Sequence, residues 1–358
     1  MQVAVAYESG APLVLEDLDP PAVGARDVRV RLTASGICHT DLTVIDGQAP
    51  IPLPTVPGHE GCGVVEEVGD EVRRVRVGDR VLASVSPACG SCWWCVNGMS
   101  NHCELKPVVS ATPRFHVPGG PSLPALCGCG TFAEQMVVDE ASVVAVETDL
   151  PDEQLALLGC GVTTGLGAAL NTARVEPGSS VAVIGCGGVG QSVVQGARIA
   201  GAATIIAIDL AVDRRKAALA VGATDAVDPA DGDVVEQVRL LTGGRGADFG
   251  FEVVGQPELM VQAFAMTRPA GAVTFVGMPT KDAELRLPAI GAIFSGKRFA
   301  GSVVGGAQIQ RDFPRFIRLA EAGRLDLGAM VSHRIALCDI NDGIDLLRRA
   351  DGVRTVIV

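Results

Sequence analysis

The sequence has few aromatic residues and no hydrophobic run long enough to span a membrane. Its 358 residues include one tyrosine, two tryptophans and ten phenylalanines. The most apolar stretch, residues 155–170, is too short for a span and is interrupted by glycines, Thr163 and Thr164. We therefore interpret it as a buried helix and expect no membrane partner. The first residues also lack the basic and apolar segments of a secretory signal, so we expect a cytoplasmic protein.

Positive charge is scarce as well. Lysine and arginine number 29 against 41 aspartate and glutamate residues, and the formal net charge is −12. Phosphate backbones are bound by clustered lysine and arginine, so this balance argues against a nucleic-acid partner. Hydrophobic residues make up 48% of the chain and charged residues 20%, which is typical of a packed globular enzyme. The length allows about two domains.

From residue 175 onward, short apolar runs alternate with stretches of helical length. This alternation is typical of βαβ units, whose parallel strands need crossover connections, and it predicts an α/β fold with a doubly wound parallel sheet. The predicted strands are 181–184, 204–208, 226–227, 249–254 and 272–276, and the predicted helices are 191–200, 213–221, 234–241 and 257–266.

The flanking regions have a different texture. Before residue 150, short alternating strands at 28–32, 64–68 and 80–83 are separated by glycines, which indicates an antiparallel β-rich domain. After residue 303, a helix is predicted near 314–322 and a final strand at 354–358. This tail could return to complete the first domain.

The cysteines include one tight cluster. Eleven cysteines without an export signal favour a reducing compartment, where clustered cysteines bind metal more often than they form disulfides. Cys89, Cys92, Cys95 and Cys103 follow the pattern C-x2-C-x2-C-x7-C within a loop that carries glycine and proline. Four thiolates at this spacing can surround one tetrahedral Zn²⁺, and such a closed site stabilises a loop without taking part in chemistry.

A second set of potential ligands is scattered along the chain. Cys38, His59 and Cys160 each stand in a short glycine-containing motif. Two thiolates and one imidazole would leave the fourth tetrahedral position of a zinc ion open for a substrate oxygen. Spacing alone does not establish this set, because core cysteines and surface histidines are common.

A glycine-rich turn follows the predicted strand 181–184 and opens a predicted helix. Its pattern is G-x-G-x-x-G, and its residues are Gly185, Gly187, Gly188, Val189 and Gly190, with Cys186 at the second position. Glycines here permit a tight turn and let the backbone approach a pyrophosphate, which the helix N-terminus attracts. The context therefore predicts a dinucleotide site rather than a turn without a ligand.

The next predicted strand ends in an acidic residue, Asp209. A carboxylate there can accept hydrogen bonds from the adenosine ribose and would repel a 2′-phosphate, so NAD is favoured over NADP. Arg214 follows five residues later and could tolerate a phosphate, but we expect it to lie along the ribose.

Taken together, these motifs resemble those of the zinc-containing medium-chain alcohol dehydrogenases over nearly the whole chain. They occur in one order: GICHTD at 36–41, GHEGCG at 58–63, GDRV at 78–81, the four-cysteine loop, GCG at 159–161, the glycine-rich turn, FEVVG at 251–255 and RTVIV at 354–358. The resemblance implies a GroES-like, chaperonin-10-like β domain formed by both chain ends, with a Rossmann NAD-binding domain inserted. The expected boundaries are a catalytic zinc domain at 1–160, the Rossmann domain at 161–303 and a return segment at 304–358. It also implies an active site in the interdomain cleft, a small-molecule substrate and a homodimer or homotetramer.

The resemblance assigns a catalytic zinc to the scattered set and a structural zinc to the four-cysteine loop, hence two zinc ions per chain. Glu60 would lie beside the catalytic zinc as a carboxylate neighbour or occasional ligand. Asp41 would orient His59 through the ring nitrogen that does not bind metal. Thr40 would hydrogen-bond the alcohol and begin a proton relay.

The resemblance also extends the cofactor site. It places His39 and Arg354 near the cofactor pyrophosphate, where positive or hydrogen-bonding groups offset phosphate charge. Val254 and Met278 are expected to belong to the same site. From the sequence alone, His39 and Arg354 would be interpreted as surface residues.

Two positions depart from the pattern of many relatives. Thr43 stands where relatives carry a histidine that ends the proton relay, so a hydroxyl, a water or the cofactor ribose would have to take that role. Ala49 and Val85 match pocket positions that hold large aromatic side chains in relatives restricted to small alcohols. Smaller residues would enlarge the cavity, which favours bulkier primary alcohols of the aryl or terpenoid type.

Three alternatives stay open at this point. A thiol-dependent formaldehyde dehydrogenase would commonly carry an acidic residue at the position of Ala49, which weakens that interpretation for glutathione but not for another thiol. A protein with permanently bound NAD(H) would need a second carbonyl compound for turnover. A non-catalytic protein that binds NADH and zinc is disfavoured, because binding alone does not need an open metal site.

Overall fold

The computed structural model describes residues 1–49, 51–117, 119–120 and 122–358. The strands are β1 (Gln2–Val5), β2 (Val14–Asp17), β3 (Asp27–Gly36), β4 (Glu60–Val68), β5 (Arg80–Ala83), β6 (Pro113–His116), β7 (Ser122–Pro124), β8 (Gln135–Asp139), β9 (Val143–Ala145), β10 (Ser180–Ile184), β11 (Thr204–Ile208), β12 (Asp225–Val227), β13 (Ala247–Glu252), β14 (Thr267–Phe275), β15 (Arg298–Gly301), β16 (Val331–Ile335) and β17 (Arg354–Ile357). The α-helices are α1 (His39–Ile45), α2 (Trp93–Val96), α3 (Leu105–Ala111), α4 (Asp152–Ala156), α5 (Gly161–Gly167), α6 (Gly188–Ala200), α7 (Val212–Ala220), α8 (Val234–Leu241), α9 (Pro257–Met266), α10 (Ala289–Ser295), α11 (Ile309–Glu321) and α12 (Ile340–Arg348).

The chain forms two compact units. The first comprises Met1–Gly161, Ala307–Gly323 and Met330–Val358, and the second comprises Val162–Gly306 and Arg324–Ala329. Both chain ends therefore contribute to the first unit. The predicted boundaries differ from this division by one residue at 160 and by three residues at 303, and the short segment Arg324–Ala329 groups with the second unit.

The second unit contains a six-stranded sheet in the order β12-β11-β10-β13-β14-β15. All its strand pairs are parallel, and helices cover both faces, so the predicted doubly wound fold is confirmed. Alternate residues of each strand enter opposite cores. Val181 and Val183 pack with Val193 of α6, whereas Ala182 packs with Val238 of α8 on the other face. Each fully buried valine contributes about 2 kcal/mol to stability.

The order of these strands reverses between β10 and β13, which lie side by side although two strands, β11 and β12, separate them in the chain. In an open α/β sheet, a crevice forms at such a reversal beyond the carboxyl ends of the strands. The glycine-rich turn directly follows β10 and so lies at this crevice. The edge strand β15 was not predicted, because its RFAG sequence is exposed and has no apolar run.

The first unit is built on a seven-stranded sheet in the order β16-β17-β3-β4-β5-β9, with β8 pairing to β3. The predicted return of the tail is observed within this unit, since β17 runs antiparallel to β3 and pairs Val356 with Gly36. The amide of Ile37 then donates to the carbonyl of Thr355 at 2.9 Å. The C-terminal strand therefore lies against the segment that leads to Cys38.

The predicted single buried helix over 155–170 is wrong. α4 ends at Ala156, a 3₁₀ turn covers Leu157–Gly159, and Cys160 has φ −144° and ψ −74° before α5 begins. No single helix in the described ranges is long and apolar enough to cross a membrane, although the bent pair Asp152–Gly159 and Gly161–Ala173 passes by length and composition. The break leaves Cys160 outside regular helix.

Candidate metal and nucleotide sites

The carboxylate of Asp41 joins the end of β3 to the start of β4. Cys38 caps α1, and its amide donates to Oδ2 of Asp41 at 2.8 Å. Oδ1 accepts from the amide of Gly58 and from Nδ1 of His59, both at 2.9 Å. Because the Nδ1 proton is used in this bond, Nε2 of His59 is left with its lone pair free for a ligand.

A buried cluster forms around that imidazole. Cys38, His59, Glu60 and Cys160 each offer one ligand atom, and these atoms lie within 4.8 Å of one another. Nε2 of His59 and Oε2 of Glu60 are buried and have no hydrogen-bond partner among the described residues. Buried polar atoms without partners indicate a missing ligand, and two sulfurs with one imidazole nitrogen are a donor set that zinc prefers. The residues therefore fit a zinc ion.

The electrostatics of the cluster suit a cation. The hydrogen bond with Cys160 holds the pKa of Cys38 well below its usual value, although burial opposes this shift. Burial raises the pKa of Glu60 to about 7, against the positive charge of Arg354. The same hydrogen bond between Cys38 and Cys160 raises the pKa of Cys160, so the two thiols share one proton and one of them carries negative charge.

Glu60 and Arg354 form the floor of the cluster. Oε1 of Glu60 accepts from the amide of Gly161 at 2.8 Å, and Nη2 of Arg354 lies 3.4 Å from the same oxygen. Nη1 of Arg354 donates to the carbonyl of Ile37 at 3.1 Å. A side chain at Gly161 would overlap the guanidinium, so a larger residue beside Cys160 would displace Arg354 from Glu60. Arg354 is buried, whereas the sequence alone would place it at the surface.

The other residues predicted for this site lie on α1. Oγ1 of Thr40 is 3.9 Å from Sγ of Cys38, which places the hydroxyl beside the cluster. His39 is exposed at the first turn of the helix. Oγ1 of Thr43 donates to the carbonyl of His39 at 2.9 Å, so its proton is committed to the helix backbone. The role of Thr43 in a relay stays a prediction.

The four-cysteine loop brings its sulfurs together in the first unit. The ligand atoms of Cys89, Cys92, Cys95 and Cys103 lie within 4.8 Å of one another. Sγ of Cys89 accepts from the amides of Ser91 and Cys92 at 3.4 and 3.3 Å. Although burial opposes it, these donors lower the pKa of Cys89 to about 6. Amide donors stabilise thiolates, so this loop also fits a zinc ion, here with no open position.

The glycine-rich turn has the geometry that a pyrophosphate needs. Gly185 has φ +91°, and a side chain at Gly190 would overlap the carbonyl of Gly185. At Gly187, by contrast, a Cβ would meet nothing closer than Arg214, whose Cζ lies 3.9 Å away. α6 then begins at Gly188 and provides free amides at its N-terminus. The turn therefore has no room for a side chain at Gly190, and it leaves open space for a ligand at Gly187.

Asp209 supports this turn from the end of β11. Its Oδ2 accepts from the amide of Cys186 at 2.7 Å, and its Oδ1 accepts from the amide of Ala211 at 2.8 Å. Nε2 of Gln191 donates to the carbonyls of Cys186 and Arg214, both at 3.0 Å. Gln191 was missed from the sequence, because a glutamine in the first turn of a helix carries no distinctive pattern.

Val254 and Met278 lie beyond the ends of β13 and β14, and they are 41% and 54% exposed. Glu252, the second residue of the FEVVG motif, is buried and was not predicted as a site residue. Its Oε1 accepts from the amides of Val254 and Gly255 at 2.8 and 2.7 Å, which holds the turn after β13 in place. The predicted pocket residues are Ala49, which is half-buried, and Val85, which is buried.

Sequence models of two protein families match the chain. The alcohol dehydrogenase GroES-like domain matches residues 24–148, and the zinc-binding dehydrogenase domain matches residues 188–322. The S-(hydroxymethyl)glutathione dehydrogenase of Synechocystis sp. is 39% identical, over 99% of each chain. The protein belongs to the zinc-containing medium-chain alcohol dehydrogenase family. The predicted family is confirmed, and the protein is an oxidoreductase of the alcohol dehydrogenase type.

Solved structures of other alcohol dehydrogenases show the same fold. A zinc-binding-domain alcohol dehydrogenase of Burkholderia ambifaria has a TM-score of 0.94 and 34% identity, over 99% of this chain and 98% of that one. The benzyl alcohol dehydrogenase of Acinetobacter calcoaceticus has a TM-score of 0.93 and 30% identity, with the same coverage of both chains. The GroES-like and Rossmann domains are therefore both present in this alcohol dehydrogenase.

We expect the two cysteine clusters to respond differently to substitution. His59→Ala should remove one zinc ion per chain and abolish alcohol oxidation, and it should also lower the unfolding temperature, because the buried Asp41 carboxylate loses one of its donors. Cys92→Ser should remove the other zinc ion and lower the unfolding temperature, because a closed four-sulfur site stabilises the loop that carries it. Native mass spectrometry gives the metal count, and thermal unfolding gives the stability.

Retention of bound zinc and normal turnover in His59→Ala would contradict the assignment of the open site. Ser122→Ala serves as a control, since Ser122 lies on β7, far along the chain from the ligand residues, and its hydroxyl contacts the exposed His116 ring at 2.9 Å. This variant should keep both metal ions and full activity.

Proposed function

We propose that this protein is a zinc-dependent, NAD-linked alcohol dehydrogenase that reversibly oxidises bulky primary alcohols. The observation that carries the proposal is the buried cluster of Cys38, His59 and Cys160 with an unpartnered Nε2. Two thiols and one imidazole leave one tetrahedral position for a substrate oxygen, in a chain that also contains a dinucleotide turn.

A zinc ion bound to this cluster supplies Lewis acidity that polarises the oxygen of the alcohol or aldehyde. Cys38, Cys160 and His59 hold the ion, and Asp41 fixes the ring orientation of His59 at 2.9 Å. The hydroxyl of Thr40, 3.9 Å from the sulfur of Cys38, is placed to accept the proton of the substrate hydroxyl. The four-cysteine loop holds a second zinc ion with a purely structural role.

NAD is the cofactor favoured by the second unit. The amides at the start of α6 and the open space at Gly187 suit the pyrophosphate. The carboxylate of Asp209 follows β11, where the adenosine ribose is expected, and a carboxylate there disfavours a 2′-phosphate. Arg214 lies beside Gly187 with its Nε unpartnered among the described residues, which supports a contact with the ribose or pyrophosphate.

The substrate proposal rests on small residues at two pocket positions. Ala49 and Val85 are smaller than the aromatic side chains that relatives restricted to small alcohols carry, which favours a larger substrate cavity. The benzyl alcohol dehydrogenase of Acinetobacter calcoaceticus, whose name gives an aryl alcohol, is 30% identical to this chain. The Synechocystis relative is named for a glutathione adduct, but Ala49 supplies no acid for such an adduct. Thiol-dependent formaldehyde oxidation is therefore the second candidate.

We further propose a homo-oligomer, formed through one face of the second unit. The β15 face consists of the edge strand β15 and helix α10, and its large exposed side chains are Ile290, Ile293, Phe294 and Phe299, at 74%, 74%, 85% and 49%. An uncovered edge strand beside such apolar side chains is a surface that proteins usually cover.

All eleven cysteines are free thiols, which is consistent with the cytoplasmic location expected.

Asp209→Gly should weaken NADH binding by about ten- to a hundredfold, because the charge-assisted bond to the Cys186 amide of the turn is lost together with the ribose contact. Discrimination against NADPH should fall in the same variant. Calorimetric dissociation constants for both nucleotides test this. Asp213→Asn is the matched control, since Asp213 is 89% exposed and should leave both constants unchanged. Equal affinity of the unaltered protein for NADH and NADPH would contradict the proposal.

With excess NAD, the catalytic efficiency should rise from ethanol through hexanol to benzyl alcohol, cinnamyl alcohol and geraniol, measured as NADH absorbance. Val85→Phe should lower the ratio of cinnamyl alcohol to ethanol efficiency by about tenfold, because the ring occupies space that the larger substrate needs. A higher efficiency with ethanol than with every larger alcohol would refute the enlarged pocket.

Two controls separate the competing functions. Formaldehyde oxidation that appears only with an added low-molecular-weight thiol would favour the second candidate. Release of NAD(H) from freshly purified protein on denaturation, together with alcohol oxidation that needs an added aldehyde acceptor, would indicate permanently bound cofactor.

Phe294→Asp should shift the protein toward a smaller assembly, because a charge on the β15 face opposes burial of that face against a second copy. Light scattering after size-exclusion chromatography measures the mass. Leu240→Asp changes an equally exposed residue of α8, 81% exposed, and should leave the mass unchanged. A monomeric unaltered protein, or identical masses for both variants, would be evidence against this interface.

A further inference from the structure

The position of Cys160 is not determined by its own helix. α4 ends at Ala156, and the following 3₁₀ turn ends at Gly159, one residue before the cysteine. Cys38 and His59, by contrast, lie directly beside strands β3 and β4 and are tied to each other through Asp41. Something other than helix continuity must therefore hold the segment that carries the second sulfur of the cluster.

Arg80, the first residue of β5, holds the start of that chain. Its Nη1 donates to the carbonyl of Thr148 at 2.8 Å, and its Nη2 donates to the carbonyl of Leu150 at 2.6 Å. Its Nε donates to Oδ1 of Asp152, the first residue of α4, at 2.5 Å. One guanidinium thus binds every second residue from Thr148 to Asp152, where α4 begins.

The last residue of β5 also contacts the segment that leads to Cys160. A side chain at Gly159 would lie 2.8 Å from the carbonyl of Ala83, the last residue of β5, and 3.1 Å from Cα of Glu60. The segment from Thr148 to Gly159 therefore contacts both the first and the last residue of β5. β5 pairs in turn with β4, which begins next to His59.

A buried thiol connects the same clamp to β4. Sγ of Cys62, three residues after His59, donates to Oδ1 of Asp152 at 3.4 Å. Asp152 thus receives donors from both β4 and β5. This pairing matters for geometry more than for energy, because the side chains of Arg80 and Asp152 are 25% and 29% exposed and such ion pairs contribute little.

We propose that Arg80 is a positioning residue for the catalytic metal: its three-pronged clamp on Thr148, Leu150 and Asp152 sets where Cys160 meets Cys38 and His59. The clamp requires arginine, since only a planar fork can donate to three acceptors in fixed directions. The proposal rests on the zinc-binding function proposed above. It explains why the residue after Gly78 and Asp79 carries a guanidinium, a position that the sequence marked only as part of a motif.

Arg80→Lys and Asp152→Asn test the clamp while keeping side-chain size. The matched control is Arg334→Lys, which alters a second arginine that contacts α4: Arg334, on β16, donates to Oε1 of Glu153 at 3.0 and 2.6 Å but clamps no backbone carbonyl of the approach to Cys160 in the described structure. Timed exposure to a chelator, followed by native mass spectrometry, measures the loss of each zinc ion. The four-sulfur zinc serves as an internal reference.

We expect Arg80→Lys and Asp152→Asn to lose the open-site zinc about tenfold faster than the unaltered protein, with loss of the four-sulfur zinc unchanged. The cobalt(II)-substituted variants should also show an altered absorption change on adding imidazole, which can bind only at the open site. Arg334→Lys should behave like the unaltered protein in both measurements. A general loss of folding would not produce this site-selective pattern.

Equal zinc-loss rates and imidazole responses in Arg80→Lys, Arg334→Lys and the unaltered protein would overturn the inference and leave the proposed function intact. Simultaneous loss of both zinc ions would overturn it too, because the clamp would then support the whole first unit. Absence of zinc from the open site of the unaltered protein would overturn both proposals together.

Discussion

The hydrogen bonds of the buried Asp41 carboxylate are the interaction on which the cluster of Cys38 and His59 in the first unit depends. A fully buried charge is tolerated only when donors surround it, and here the donors are the amides of Cys38 and Gly58 and the ring of His59. These donors come from the two sides of the β3–β4 connection. The same bonds that satisfy the charge therefore fix one sulfur and one imidazole relative to each other, and they leave Nε2 without a partner inside the protein.

The two cysteine clusters differ in how far the sequence reveals them. The four-cysteine loop closes within Cys89–Cys103, and its sulfurs accept amides from the same loop, so spacing alone predicts it. The open cluster unites Cys38, His59 and Cys160 through sheet pairing and distant ion pairs. Only the resemblance to a known family identified it, because no local pattern encodes contacts made by a folded sheet. Arg354 illustrates the limit: its pairing with Glu60 joins the last strand to the cluster.

The fold shows the same division between local and distant causes. Periodicity predicted β11, α8 and α9 with their observed bounds, because each has an apolar face of its own. It missed β15, whose residues are exposed and whose strand is defined only by pairing with β14. The sequence-based prediction also joined α4 and α5 into one helix, because residues 155–170 are apolar nearly throughout. The break at Cys160 instead follows a distant acceptor, since Oε1 of Glu60 takes the amide of Gly161.

Asp209 shows why a recognition residue can also be a structural one. Both of its oxygens already accept backbone amides at 2.7 and 2.8 Å, so its carboxylate holds the glycine-rich turn before any ligand arrives. Each carboxylate oxygen has a further lone pair and can still accept a ribose hydroxyl. A 2′-phosphate would instead bring negative charge against a carboxylate that cannot turn away without releasing Cys186. The proposed preference for NAD would therefore follow from the rigidity of the turn, and a neutral residue at this position would relax it by loosening the site.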